Sequence, residues 1–354
     1  MINPANFGAG PFSTIGTVTG KVLATSNNGN LGLFSDTLHT PNQVYIVNAA
    51  ATSSLSTTPL NIPQAVAAAF SPDGLKTFIF GNGGSSLYVY SALQGLQGPI
   101  ALAGPANAHT VAFSPNGAFA YVAEASANGG SANLTAFNTC NNQIAASPAP
   151  ANLPAVVDLP ADPLFLRVLP GLHLEGTDSF GNAIPDGTHV LVMDATGFDI
   201  ITSTISPPAP GTICPQTLAF VSNPISQTVH AQRVELGQGI IQPINFFPSA
   251  DGTQIYIVAA GHASILVYDF SVGSVTSGIE LLGNATPISA DISADAGTIV
   301  VAGSDGLLHE VSTGLGGSDQ FQLSFPNLPN YLNPFCAITT SQNPCSLNLV
   351  LARP

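Results

Sequence analysis

Charged residues are the scarcest feature of this sequence. Only 5 of the 354 residues are lysine or arginine, against 19 aspartate or glutamate, and the net charge is −14. Nucleic-acid binding requires clustered basic side chains that displace counterions from phosphates, and no two basic residues are adjacent here. Anionic membrane surfaces are excluded by the same reasoning. We therefore expect protein partners, including copies of the same chain, and no nucleic acid.

Long apolar runs are also missing. No run reaches the roughly 18 apolar residues of a transmembrane helix, so no membrane insertion is predicted. The opening residues, MINPANFGAGPF, contain neither the basic nor the apolar part of a signal peptide. The low charge and the scarcity of lysine still favour an extracellular or cell-surface location, with any signal peptide outside this numbering.

The sequence has few cysteines, and none has metal-binding spacing. The four are Cys140, Cys214, Cys336 and Cys345, with no CxxC and no Cys/His pairing typical of zinc. An even count fits disulfides in an oxidising compartment, and four cysteines permit three connectivities. The short separation of Cys336 from Cys345 favours that pair and leaves Cys140 with Cys214. Four buried free thiols are the alternative.

Catalytic and cofactor-binding motifs are absent. There is no GxSxG nucleophile elbow, no GxxxxGK[ST] phosphate loop, no GxGxxG after a strand, and no HExxH or HxH. Two Asn-x-Thr glycosylation patterns begin at Asn133 and Asn284. We expect no cofactor and no metal.

A short turn is repeated along the chain. Asp-Gly or Asn-Gly between apolar runs indicates a hairpin, because glycine accepts the positive φ that the turn needs. The pattern occurs six times, as SNNGN, SPDGL, SPNGA, IPDGT, SADGT and SADAG, with glycines at Gly29, Gly74, Gly117, Gly187, Gly252 and Gly297.

Each turn precedes two apolar or alternating runs, such as KTFIF and SLYVYSA or QIYIVAA and SILVYDF. Units of about 43 residues with four antiparallel strands are typical of β-propeller blades. We predict an all-β protein with an extended segment at 1–16 and one propeller domain at 17–354. Six turns give six blades, and two candidate strands between Ser324 and Pro354 predict a seventh. In that prediction the N- and C-terminal strands close the ring, and six or eight blades are the alternatives.

The repeated turn and the following strand resemble those of the YVTN-type seven-bladed β-propellers, which are exported bacterial repeat proteins. The YVTN signature is reduced here to YVAE at Tyr121 and YIVA at Tyr256. The resemblance covers most of residues 17–323 and implies a secreted or surface-anchored protein. Some similar propellers are lactonases, so it also implies a possible hydrolase.

The innermost strands of a propeller line its central channel, and counting back from the turns aligns them. His109 and Asp291 then stand where other blades have apolar residues, and Arg167 lies on the corresponding strand of the fourth blade. One interpretation is a catalytic trio, with His109 as base, Asp291 as its orienting group and Arg167 as an anion clamp. The other is structural: His109 bonds a backbone carbonyl and Arg167 neutralises Asp291.

The structural interpretation is favoured, because no strong catalytic motif accompanies these three residues. We expect a non-catalytic secreted or cell-surface module, such as a subunit of an extracellular assembly or filament. A lactonase-like hydrolase using the central channel is the alternative.

Overall fold

The computed structural model describes most of the chain between residues 21 and 324. The described ranges are 21–36, 43–48, 54–55, 59–103, 107–126, 131–147, 153–171, 173–174, 183–206, 217–221, 232–236, 242–313 and 316–324. Within them all regular structure is β apart from two short 3-10 turns at Asn82–Gly84 and Leu282–Asn284. No helix in these ranges is long and apolar enough to cross a membrane. The prediction of an all-β protein is confirmed.

The strands of the first three blades follow one another along the chain, and each sheet is antiparallel. Blade 1 contains β1 (Lys21–Thr25), β2 (Leu31–Asp36), β3 (Gln43–Asn48), β4 (Ser54–Leu55) and β5 (Leu60–Asn61). Blade 2 contains β6 (Ala67–Phe70), β7 (Lys76–Gly81), β8 (Ser86–Ser91) and β9 (Gly95–Ile100). Blade 3 contains β10 (Asn107–Phe113), β11 (Phe119–Ala125), β12 (Ala132–Asn138), β13 (Gln143–Ile144) and β14 (Val156–Leu159).

The last three blades repeat this order. Blade 4 contains β15 (Phe165–Val168), β16 (Thr188–Met193), β17 (Gly197–Ser206), β18 (Thr217–Phe220) and β19 (Gln232–Glu235). Blade 5 contains β20 (Pro243–Pro248), β21 (Gln254–Ala259), β22 (Ser264–Asp269) and β23 (Ser274–Glu280). Blade 6 contains β24 (Pro287–Ile292), β25 (Thr298–Gly303), β26 (Leu307–Ser312) and β27 (Asp319–Ser324).

In the part of the chain that the structure describes, the propeller has six blades, so the prediction of seven is wrong and its alternative of six is confirmed. Each of the six turn signals lies between the first and second strands of one blade, and the inner strand of blade 1 is Lys21–Thr25. The seventh blade depended on residues 325–354 and on FSTIGTV near the N-terminus, which lie outside the described residues. The predicted closure by terminal strands and the boundary at residue 16 lie there too and stay predictions.

Five of the six turns share one hydrogen-bond network. A serine hydroxyl donates to an Asp or Asn Oδ1 two residues later and accepts from the backbone N–H five residues later. At Ser71 these distances are 2.5 Å to Asp73 and 3.0 Å from Lys76. The same pattern recurs at Ser26, Ser114, Ser249 and Ser293. This network explains why the serine and the Asp or Asn two residues later recur in these turns.

The left-handed position of this turn is the residue three after the serine. Gly74 and Gly252 have φ of +71° and +74° there, as expected for glycine. In blade 6 the position is Ala296, with φ of +55°. Our assignment of Gly297 to the turn glycine is therefore off by one residue.

Among the described residues the hydrophobic core consists of five clusters, one between each pair of consecutive blades. Between blades 4 and 5, for example, Phe198 packs edge-on against Tyr268, with ring centroids 5.2 Å apart. Central strands are therefore covered on both faces, and β16 is buried at every position. This explains the wholly apolar runs, which differ from the alternation of a sheet with one wet face.

Candidate functional site

The inner strands form the site at which propeller chemistry was predicted. Strands β1, β6, β10, β15, β20 and β24 contact one another in chain order. Strands β1, β10, β20 and β24 each contain a bulge in their pairing with the second strand. A bulge bends the strand and re-aims the side chain at that point. In β10 the bulge lies between Ala108 and Thr110, at His109.

Arg167 is half-buried on β15 and bonds the next blade. Its Nη2 donates to Asn245 Oδ1 on β20 at 2.7 Å, and its Nη1 donates to the Leu166 carbonyl at 2.8 Å. The guanidinium carbon also lies 5.8 Å and 5.5 Å from the ring centroids of Phe246 and Phe247. Amide and aromatic partners together hold the cation in place. An anion clamp would have to compete with these contacts.

Asn245 continues this network into blade 6. Its Nδ2 donates to the carbonyl oxygen of Ala290 on β24 at 3.0 Å. One side chain therefore links the inner strands of blades 4, 5 and 6. Sequence reasoning missed Asn245, although a signal existed: the fourth position before the turn serine is Thr110, Asn245 and Ser289 in three blades.

Asp291 and His109 complete the predicted trio. Asp291 is buried on β24, directly after Ala290, so the Arg167–Asn245 network reaches the peptide beside it. His109 lies on β10, two blades before β20, and its side chain is outside the described part of the structure. Hydrogen bonds thus join Arg167 to the strand of Asp291 through Asn245. The catalytic roles of the three residues stay predictions.

A buried ionisable cluster lies elsewhere, in blade 6. His309 on β26 is fully buried, with its Nδ1 2.6 Å from Asp319 Oδ2 and its Nε2 3.3 Å from Asp305 Oδ1. Asp319 Oδ2 also accepts from the backbone N–H of Leu282 at 2.8 Å. A Cβ at Gly303 would lie 2.7 Å from His309 Nε2. The cluster joins β26, β27 and two turns, and it leaves no open approach to the imidazole.

A second histidine–carboxylate pair is exposed at the edge of a shallow hollow. His173 Nδ1 lies 2.8 Å from Asp186 Oδ1, and both side chains are more than 70% exposed. The hollow, of about 200 Å³, is also lined by Leu174, Asp251 and Phe270. Such an exposed pair is worth little energetically. His189, in contrast, is buried, and burial lowers its pKa while Pro185 O contacts its Nε2 at 2.9 Å.

Several polar side chains tie one blade to the next. Tyr121 Oη lies 2.8 Å from Ser203 Oγ in blade 4, and burial raises the pKa of Tyr121 to about 12. Tyr256 Oη donates to the Thr313 carbonyl in blade 6 at 2.6 Å. These are the tyrosines of the YVAE and YIVA motifs, so this repeated residue joins blades.

Lysine is used in the same way. Lys76 Nζ in blade 2 donates to the carbonyl of Thr139 and, at 2.9 Å, to Asn142 Oδ1 in blade 3. Burial lowers the pKa of Lys76, and the nearby Asp73 opposes that shift. Two of the five basic residues, Lys76 and Arg167, are thus committed to contacts between blades.

Metal and disulfide predictions fall partly outside the described residues. In the ranges that are described, no group of three or more His, Cys, Asp or Glu could hold a metal ion. Cys140 lies in the turn after β12 and is not a free thiol. Cys214, Cys336 and Cys345 lie outside the described residues, so the connectivity stays a prediction.

Comparison with known proteins supports the fold alone. No family model and no curated protein sequence matches the chain. A functionally unknown protein from Desulfotomaculum acetoxidans DSM 771 is similar in structure, with a TM-score of 0.53 and 14% identity over 80% of this chain and 76% of that one. Kuenenia stuttgartiensis hydrazine synthase matches with a TM-score of 0.49 and 12% identity over 85% and 80%. The chain is a β-propeller, and its relation to the YVTN-type proteins stays a prediction.

Proposed function

We propose that this protein is a non-catalytic, exported β-propeller that serves as a structural or interaction module and assembles with copies of itself. The observation that carries the proposal is the use of the scarce cations. Lys76 and Arg167 bond neighbouring blades, so they strengthen the ring instead of facing a ligand. A surface with few charges also has little to desolvate when it packs against another protein.

Exposed apolar side chains at hairpin tips support a contact surface. Leu93 is 94% exposed between β8 and β9, and Val272 is 63% exposed between β22 and β23. Both lie in the hairpin that joins the third and fourth strands of a blade. Blades 2 and 5 therefore each have an apolar hairpin tip. Two such tips could contact two neighbouring copies of the chain.

Sedimentation velocity over a wide concentration range, with electron microscopy of the same samples, tests the proposal. We expect association to increase with protein concentration. The double variant Leu93→Ser, Val272→Ser should associate more weakly than the parent. Lys76 and Arg167 stay unchanged in this variant, so its thermal unfolding should match the parent. A protein that stays monomeric at its highest soluble concentration contradicts self-assembly.

The lactonase alternative is tested on the same preparation. The protein is assayed for hydrolysis of a lactone panel. Hydrolysis that is lost in Arg167→Gln or His109→Ala would contradict the structural proposal and support a hydrolase.

A further inference from the structure

The two Asn-x-Thr motifs of the chain lie in opposite environments. Asn133 is 6% exposed on β12, a strand that is buried at every position. It pairs with Glu124 on one side and Asp158 on the other, and its Oδ1 accepts from the Thr135 hydroxyl at 3.1 Å. A glycan on Asn133 would have to replace the packing between two strands.

Asn284 lies instead at the tip of the connection from blade 5 to blade 6. The tip is the 3-10 turn Leu282–Asn284, in which all three residues are exposed. Asn284 adopts φ of +55°, a left-handed conformation that asparagine tolerates better than most residues. Its side-chain amide makes no hydrogen bond to the described part of the chain.

The tip is anchored firmly on both sides. Leu281 and Ala285 are buried in the cluster between blades 5 and 6, and the Leu281 N–H donates to the Ala263 carbonyl at 2.8 Å. The Leu282 N–H donates to Asp319, and the Thr286 N–H donates to Ser304 Oγ at 3.0 Å. A group attached to the Asn284 amide therefore projects from a fixed loop without displacing a core residue.

We propose that Asn284 is an N-glycan acceptor of the folded protein and that Asn133 is not. The proposal rests on the exported location proposed above. In the transfer, Asn284 Nδ2 forms a bond to C1 of a sugar carried on a lipid pyrophosphate. The bond from C1 to the phosphate oxygen breaks, the lipid pyrophosphate leaves, and the amide gives one proton to the transferase.

Expression of the full chain behind a secretory signal in a eukaryotic host tests the acceptor. The added signal imposes the location, so the result concerns Asn284, while fractionation of the native cells tests natural export separately. We expect one glycan on the folded, secreted product, removable by an N-glycan amidase and mapped to Asn284 by peptide mass spectrometry.

Variants at the third motif position provide matched controls, because they leave Asn284 itself in place. Thr286→Ala should abolish the glycan, and Thr286→Ser should retain it. Folded product without a glycan at Asn284, or with a glycan at Asn133, overturns the proposal. Retention of the modification in Thr286→Ala overturns it as well.

Discussion

At the residue scale, the left-handed position of the repeated turn is occupied by glycine in every blade with the serine turn except one. Glycine occupies it in blades 1, 2, 3 and 5, and alanine occupies it in blade 6 as Ala296. An L-residue in this conformation costs roughly 1–2 kcal/mol relative to the right-handed form. Blade 6 therefore carries strain that four sister blades avoid.

We expect Ala296→Gly to stabilise the protein by roughly 1 kcal/mol, because glycine removes the Cβ penalty and loses part of that gain as backbone entropy. Urea unfolding measures the change. Gly74→Ala is the matched control: an added Cβ would meet only the Ser26 Cβ at 3.7 Å, so it tests φ alone. It should destabilise by a similar amount, and equal stability of all three proteins would contradict the argument.

Acid stability is linked to the carboxylates of the same turns. Hydrogen bonds from Ser71, Ser249 and Ser293 hold the pKa values of Asp73, Asp251 and Asp295 below the usual 3.8. A lowered folded-state pKa contributes stability above the unfolded value, and that stability is lost as pH falls through the folded pKa. The contribution therefore begins to fall below about pH 4 and is lost once the pH is below the folded-state pKa values.

Replacing the three aspartates together by asparagine should reduce the loss of stability at acid pH, because asparagine does not titrate. Asn28 and Asn116 already fill the same position in blades 1 and 3, where their Oδ1 atoms accept from Ser26 and Ser114. The turn should therefore persist in the variant. Thermal melting between neutral and strongly acidic pH measures the effect, and parallel curves for the two proteins would contradict the assignment.

At the element scale, the His309 cluster holds the outer half of blade 6 together. Removing the imidazole leaves the buried Asp319 carboxylate with the Leu282 N–H but without its histidine partner, and breaking a buried pair in this way costs about 3–5 kcal/mol. We expect His309→Leu to destabilise by this amount in chemical denaturation. Asp305→Asn should cost much less, because Asp305 is partly exposed and asparagine still offers an acceptor oxygen.

A compensating change separates the charge effect from lost packing. His309→Leu with Asp319→Asn should recover part of the stability, because the second change removes the buried charge. No recovery would assign the loss to packing alone.

The sequence predicted the elements better than the contacts between them. The four runs quoted above, KTFIF, SLYVYSA, QIYIVAA and SILVYDF, all occur as strands, because alternation, apolar runs and Asp-Gly signals are local. Asn245 was missed because its partner is distant in the sequence: Arg167 lies 78 positions before it. Asp305 and Asp319 lie only 4 positions before and 10 after His309, and it is the folding of blade 6 that brings both carboxylates to the same imidazole. The seventh blade was predicted from strand-like residues alone, and such residues do not reveal what they pair with.

At the scale of the whole molecule, consecutive blades of the described chain meet at five apolar clusters, and the four interfaces from blade 2 to blade 6 also have a polar side-chain contact. Tyr121 joins blades 3 and 4, and Tyr256 joins blades 5 and 6. The two hydroxyls share no partner. Mutations at distant sites without shared partners normally add in their effect on the free energy of unfolding.

We therefore expect Tyr121→Phe and Tyr256→Phe each to cost about 1–2 kcal/mol, since each removes one partner of a hydrogen bond. The double variant should lose the sum to within roughly 0.5 kcal/mol in a double-mutant cycle. A single cooperative transition should remain throughout. A coupling energy well above that limit would mean that the two sites affect each other through blades 4 and 5. That result would contradict the independence of the blade interfaces.

The repeated turn also bears on how the protein ages. Asn28-Gly29 and Asn116-Gly117 are the kind of pair that loses ammonia spontaneously, when the glycine nitrogen attacks the asparagine side chain. In both turns that nitrogen already donates to a serine carbonyl, at 2.9 Å and 2.8 Å, which restrains the attack. Where the reaction yields aspartate, it installs the residue that blades 2, 5 and 6 carry from synthesis. Deamidation at either position would therefore convert the turn of that blade to the aspartate form that other blades already have.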